Sequence, residues 1–397
     1  MCPALTIRPY SEGALSQAAG KLRAGELVAF PTETVYGLGA DATNADAVAG
    51  IYAAKQRPSF NPLISHFPDR DAAAAHATFD ARADKLAAAF WPGALTLVLP
   101  KRSDSTVCEL TTAGLPSIAV RVPAHPMARE LLRSVGRPVA APSANQSGRI
   151  SPTTAGHVAH SLGNAIGMIL DGGPCGVGLE STVIDLTTDR VVMLRPGGIT
   201  KEQVAEVLGT EVIMAETDDS APKSPGMLTS HYAPGLPVRL DATAPDKAKY
   251  GHEILLGFGD CVTKGFDAVL WLSKSGDDRE AAANLFARLH EADQKRFDGI
   301  AIAPIPDTGL GLAINDRMKR ASAPRAPHPS NVMFLKRITA RRVANLMAVP
   351  ILSCFPPVPM KSPRQLPSVP HTPSPLSRKE AIPGVVAGRL PVRIRFF

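Results

Sequence analysis

An α/β chain is already legible in "FPTETVYGLGADATNADAVAGIYAAKQRP", Phe30–Pro58, which follows the apolar run "ELVA". "ELVAF" (26–30) reads as a buried strand, and residues 45–55 carry a helical pattern that Pro58 stops. Between them, Gly37-Leu-Gly39 lacks the third glycine and the spacing of a dinucleotide fingerprint, so the pair reads as a tight turn. Thr32 and Thr34 alternate with Glu33, which in extended backbone turns both hydroxyls to one side, toward either a polar pocket or solvent. Lys55 and Arg57 close the helix, where cations complement its dipole; the same two charges would equally suit a phosphate.

Outward from this stretch, further strands are expected at 95–100, 117–122, 138–143, 168–170, 181–186 and 191–195, and helices at 81–90, 126–135, 153–162 and 200–208. "TTDR" between the last two strands marks a hairpin, so the sheet is mixed. Thr200 and Gln203 have capping-box spacing. Residues 1–210 thus form one α/β domain, and 211–237, rich in Pro, Ser and Gly without periodicity, a linker. Residues 238–322 repeat the alternation on a smaller, Rossmann-like scale, with strands in "PVRL", "EILLGFG", "AVLWLS" and "GIAIAPI" and helices at 279–291 and near 310–320. Residues 323–397 are a Pro-rich basic tail that reads as disordered or as a stretch translated in an altered frame.

The formal charge of +7 belongs to that tail. Residues 331–397 hold eleven Lys/Arg against Glu380, which leaves residues 1–330 at −3 and argues against a broad nucleic-acid surface. Cys2, Cys108, Cys175, Cys261 and Cys354 are far apart and form no metal-ligand pattern, as in a reduced cytoplasmic protein without structural zinc. No signal-like N-terminus and no 18-residue apolar run is present, so neither export nor a membrane span is expected.

Candidate chemistry gathers at strand ends, where α/β sheets bind ligands. Asn61 and His66 follow the first helix; Arg121 ends "SIAVR" and needs an anion or a route to solvent; "APSANQSGRIS" brings Ser143, Asn145 and Ser151. The glycine-rich "DGGPCGVGLEST" runs into Ser181 and serves either as an anion cradle or as a long connection. Arg195 and the pair His231-Tyr232 complete the set; the histidine alone would be an ordinary surface residue. No catalytic triad, no H-E-x-x-H site and no covalent nucleophile emerges.

Taken in order, "PTETVYGLG", "KQRP" with "NPL" and His66, "PGALTLVL", "SIAVRVP", "APSAN", "ESTVID", "LRPG" and "SPGMLTSHYAP" resemble the YrdC/Sua5 family, over residues 5–322. The resemblance implies a YrdC-like twisted mixed sheet with helices and a smaller C-terminal α/β domain. It implies synthesis of L-threonylcarbamoyladenylate from L-threonine, bicarbonate and ATP with Mg²⁺, the first half of threonylcarbamoyladenosine formation in tRNA. Carried over by motif, Thr34, His66, Arg121, the Ala141 backbone and Ser181 would hold threonine. Arg57, Asn61, Ser117, Ser143, Asn145, Ser151, Arg195, His231 and Tyr232 would hold ATP, with Lys55 and Arg57 as the catalytic cations. "SPGMLTSHYAP" would fold over the pocket, and the product would pass to the tRNA threonylcarbamoyl-transferase machinery, with weak tRNA contact at most. The tail beyond 323 has no counterpart in the family pattern. Two other readings remain at this level: an RNA-binding module, and a carbamoyl-adenylate-forming maturation factor, although the latter's extra zinc-finger and acylphosphatase-like regions are not visible.

Overall fold

A computed structural model describes residues 5–57, 61–163, 165–215, 231–293 and 296–324. Most of the expected linker (216–230) and nearly all of the expected tail (325–397) therefore lie outside the described residues. The elements run β1 (Thr6–Pro9), α1 (Glu12–Arg23), β2 (Val28–Phe30), β3 (Gly37–Asp41), α2 (Ala45–Lys55), β4 (Ile64–His66), α3 (Arg70–Ala74), α4 (Ala81–Phe90), β5 (Leu95–Pro100), α5 (Glu109–Thr112), β6 (Ser117–Arg121) and α6 (Pro126–Val135). They continue β7 (Val139–Ala140), α7 (Ala155–Leu162), β8 (Met168–Asp171), β9 (Thr182–Asp185), β10 (Val192–Arg195), α8 (Lys201–Leu208), β11 (Ile213–Met214), β12 (Val238–Arg239), β13 (Glu253–Phe258), β14 (Ala268–Ser273), α9 (Asp278–Ala292), β15 (Gly299–Ile302) and α10 (Leu310–Ser322).

Eleven strands form one mixed sheet in the order β1-β8-β2-β3-β7-β4-β6-β5-β9-β10-β11, and the expected hairpin is the antiparallel pair β9/β10. The other four form a parallel sheet, β12-β15-β13-β14, as expected for a Rossmann-like unit. Alternation along β2 shows how the large sheet is covered on both faces. Val28 and Phe30 point to α1 and α6, whereas Ala29 joins the core under α2, α4 and α7. Helix boundaries follow their caps: Asn44 Oδ1 accepts from two backbone amides at the start of α2, and the Thr200–Gln203 capping box opens α8.

The turn expected at Gly37-Leu-Gly39 is wrong, because both glycines lie inside β3, paired antiparallel with β2. The Phe30 ring explains them. A Cβ on Gly39 would come within 2.9 Å of Phe30 Cε1 and 3.2 Å of the Val28 carbonyl oxygen, so the strands pack this closely only without side chains there. The reversal falls earlier, over residues 31–36. Thr32 and Thr34 therefore do not alternate on a strand; Thr32 Oγ1 instead closes the turn by accepting the amides of Thr34 and Val35. The helix α1 and the strands β1 and β3 were not expected.

A third core surrounds the parallel sheet with α9 and α10 and runs on into Val35, Ile150 and Leu179 beside the large sheet. The two sheets thus share apolar packing. No helix among the described residues is long and apolar enough to cross a membrane.

Candidate active site

Strand ends of the large sheet converge on a small, partly open cavity of about 40 Å³. Its wall is built from Thr32, Thr34, Arg57, Ile64, His66, Arg121, Ala141, Ser143, Glu180, Ser181, Arg195, His231 and Tyr232, among others. Ten of the expected site residues therefore meet. Asn61, Ser117, Asn145, Ser151 and Lys55 are set back from the wall.

One side of the cavity is held by a tight polar frame. The two threonine hydroxyls lie 2.8 Å apart, and Arg121 Nη2 donates to Thr34 Oγ1 at 3.0 Å. Arg121 finds its anion inside the chain, in Glu33 at 2.5 Å. Burial works against the Glu33 charge, yet the guanidinium holds its carboxyl below the usual range. Glu33 Oε2 also accepts the amides of Ala124 and His125 ahead of α6, so the β2–β3 turn, β6 and α6 are fastened together. Arg121 Nη1 makes no hydrogen bond among the described residues. His66 ends β4 directly beside Arg121, with Nδ1 3.2 Å from the Ile64 carbonyl; burial, then Arg121, pushes its pKa down to about 3, so the ring is neutral. The Ala141 amide donates to the Ile64 carbonyl. Ser181 Oγ lies 2.7 Å from Thr96 Oγ1 and accepts from Arg195.

The other side carries cations. Lys55 lies on the buried stripe of α2 with Val48, Ile51 and Tyr52, and its ammonium donates to the carbonyls of Ser143 and Asn145. Sequence placed it in the site; the structure places it one layer behind, holding the 143–145 loop. Burial, with Arg57 nearby, lowers its pKa well below the ordinary value. Arg57 reaches the wall and donates to the Asn61 and Pro62 carbonyls; burial brings its pKa down to about 10. Arg195 grips the Ser181 carbonyl at 2.8 Å. Ser117 begins β6, at the end away from Arg121, and the pairing of Ile64 with Ala119 puts Asn61 toward that same end.

His231 and Tyr232 complete the cavity wall. Tyr232 has a left-handed backbone with φ 61°, and its ring packs on Phe286 and against His231. Its hydroxyl, His231 Nδ1, Asn61 Oδ1 and Asn145 Oδ1 are buried without a hydrogen-bond partner among the described residues. Buried polar groups in native proteins are nearly always hydrogen-bonded, so these four atoms are available to a bound molecule. Residues 224–230 of the expected cover lie outside the described residues.

Two site residues escaped the sequence reading. Glu180 lines the cavity, accepting from Ser151 Oγ at 2.5 Å and from Arg317 Nε at 3.0 Å. Burial opposes its charge, but Arg317 and Arg195 keep its carboxyl below the usual range. Arg317 comes from α10, and its signal was available: it falls at helical spacing among Ala313, Ile314, Met318 and Ala321, where a solvated arginine has no place.

Residues 20–197 match the Sua5/YciO/YrdC family, described as telomere recombination, and residues 199–323 match the threonylcarbamoyl-AMP synthase C-terminal domain. The chain is 44% identical over 324 residues to the threonylcarbamoyl-AMP synthase of Bacillus subtilis, covering 78% of this chain and 93% of that one. It is 42% identical over 323 residues to the enzyme of the same name from Pyrococcus abyssi, covering 78% and 94%. The crystal structure of P. abyssi Sua5 complexed with L-threonine superposes with a TM-score of 0.73 at 40% identity, covering 80% of this chain and 97% of that one. The expectation raised by the ordered motifs is met, and the chain belongs to the Sua5 family of threonylcarbamoyl-AMP synthases.

Proposed function

We propose that the cavity is where this chain condenses L-threonine, bicarbonate and ATP into L-threonylcarbamoyladenylate and pyrophosphate. The observation that carries this reading is the state of Arg57: it is buried on the cavity wall, and among the described residues it bonds only to backbone carbonyls. A buried cation without a carboxylate costs several kcal/mol, which an anionic ligand offsets. A triphosphate is such a ligand.

In the first step threonine, as its free amine, adds to the carbon of bicarbonate with loss of water, or to CO₂ with loss of a proton, forming a carbamate. A carbamate oxygen then attacks the α-phosphorus and the bond to the β-phosphate oxygen breaks. Both partners of that second step are anions, so fixed cations and dipoles must hold them together. In this reading Arg121, Thr34, His66, Ser181 and the Ala141 backbone hold threonine, its carboxylate meeting the free edge of the Arg121 guanidinium. Arg57 and Arg195 meet the phosphates, with Asn61, Ser117, Ser143, Asn145, Ser151, His231 and Tyr232 around the nucleotide. Lys55 acts by positioning: it clamps the loop that presents Ser143 and Asn145. The neutral His66 ring adds no charge beside the amino acid.

Among the described residues no group of three His, Cys, Asp or Glu is placed to hold a metal, and Glu180 is already bound by Ser151 and Arg317. That donor set suits Mg²⁺ carried on the triphosphate oxygens and water, where it would neutralise charge on the leaving pyrophosphate. His231 and Tyr232 line the cavity beside Arg57 and Arg195, and in this reading they move aside to admit nucleotide and return to exclude water from a labile anhydride. We assign residues 1–210 to catalysis and 238–322 to a supporting domain. The reading also places the reaction in the cytoplasm, with transfer of the product to a tRNA threonylcarbamoyl-transferase system and little direct tRNA contact.

The deciding experiment incubates the chain with L-threonine, ATP, Mg²⁺ and bicarbonate and follows pyrophosphate. Release that requires both threonine and bicarbonate is expected. Release that proceeds equally without threonine would overturn the assignment.

A further inference from the structure

The helix α10 belongs to the small parallel-sheet region, yet it touches both the wall and the cover of the cavity. Arg317, with no exposed surface, donates through Nε to Glu180 Oε2 at 3.0 Å and through Nη1 to the Pro196 carbonyl at 2.7 Å and to Asp316 Oδ2 at 2.8 Å. Its Cζ lies 5.5 Å from the centroid of the Tyr232 ring, within cation–π range. One turn on, the Arg320 carbonyl accepts the His231 amide at 3.2 Å. Glu180 passes the contact inward, since its other oxygen takes the Ser151 hydroxyl.

We infer that Arg317 is a positioning residue of this site, which fixes Glu180 and Ser151 in the wall and seats Tyr232 over it. Three features separate this from ordinary interdomain packing. The side chain is wholly buried while its Nη2 has no partner among the described residues, a cost that packing alone does not repay. Its carboxylate partner lines the cavity rather than the surface. And it is in contact with an aromatic ring whose own hydroxyl is unpartnered. The small-sheet region is thus part of the binding apparatus: it sets how the nucleotide side closes. The inference rests on the proposed reading of the cavity as the synthase site.

The test uses the full chain. Wild type is assayed first for threonine-dependent pyrophosphate release; failure there removes the reading of the cavity before any variant is made. Arg317→Met alone strands the Glu180 charge and is expected to melt lower, whereas Glu180→Gln/Arg317→Met strands none and is expected to melt close to wild type. In that double variant the KM for ATP should rise at least about tenfold while the KM for threonine moves less than about twofold, the split expected of a residue that shapes one subsite. Arg317→Lys, which keeps the charge but cannot span Glu180 and Pro196 together, should recover part of the ATP KM. A double variant with wild-type ATP KM, or one whose two KM values rise equally, overturns the inference. If the double variant does not fold, Arg317→Lys decides by the same criterion: a raised ATP KM with unchanged threonine KM supports the inference, and any other pattern ends it.

Discussion

The two sides of the cavity are finished to different degrees. On the Arg121 side the wall is held by paired groups: Glu33 neutralises the guanidinium, the two threonine hydroxyls meet, and Thr96 backs Ser181. Around Arg57, buried charge rests on carbonyls, and Asn61, Asn145, His231 and Tyr232 each keep a polar atom without a partner among the described residues. A satisfied frame is rigid and selects a small ligand by fit. An unsatisfied one is held short of completion until a highly charged ligand arrives. The contrast fits an enzyme that takes one zwitterion and one polyanion, and it implies that substitutions on the two sides fail differently.

The largest effect should come from the unfinished side. Arg57→Ala is expected to lower threonine-dependent pyrophosphate release at least about a hundredfold, roughly 2.7 kcal/mol of transition-state stabilisation, measured under saturating threonine. Lys55→Ala should cost more than about tenfold by loosening the 143–145 loop. A near-normal rate in both would mean that the buried charges serve the fold alone. Next, Arg121→Lys keeps the pairing with Glu33 but loses the planar edge, so the threonine KM should rise roughly tenfold with the ATP KM unmoved; parallel rises in both would erase the distinction between the sides. His231→Ala/Tyr232→Ala should weaken ATP binding several-fold, read by titration calorimetry, and shorten the lifetime of the adenylate. Unchanged values would show that these residues cover nothing.

The smallest effect concerns acid stability. The folded His66 pKa of about 3 lies below its ordinary 6.5, so on acidification the unfolded chain takes up the proton first. The stability tied to this burial is complete above about pH 6.5 and is lost as pH falls toward 3. His66→Gln should therefore flatten part of the fall in melting temperature between those values. His231 and His290 are also depressed by burial and will keep a slope in the variant.

Legibility in the sequence followed the range of the forces involved. Helices α2, α4 and α6 were placed to the residue because helical periodicity is local, and the structure adds their starts at Asn44, Asp80 and Pro126. The strand β3 was misread because glycine usually signals a turn, and only the Phe30 ring across the pair explains its need there. The cations of the site stood out as types, but their partners did not: Arg121 and Glu33 are 88 residues apart, and Arg317 and Glu180 are 137 apart. Contacts of that separation leave no periodic trace. The family motifs carried Glu33 and Glu180 inside "PTET" and "LEST", yet nothing in the chain alone says which arginine each would find.

Tyr232 is held in a left-handed conformation that costs a non-glycine residue about 1–3 kcal/mol, kept in place by Phe286, Arg317 and the His231 ring. A movement of Tyr232 off the cavity that relaxes this torsion would return that energy instead of consuming it. How firmly the resting enzyme closes and how readily it lets its product go are then governed by the same backbone torsion.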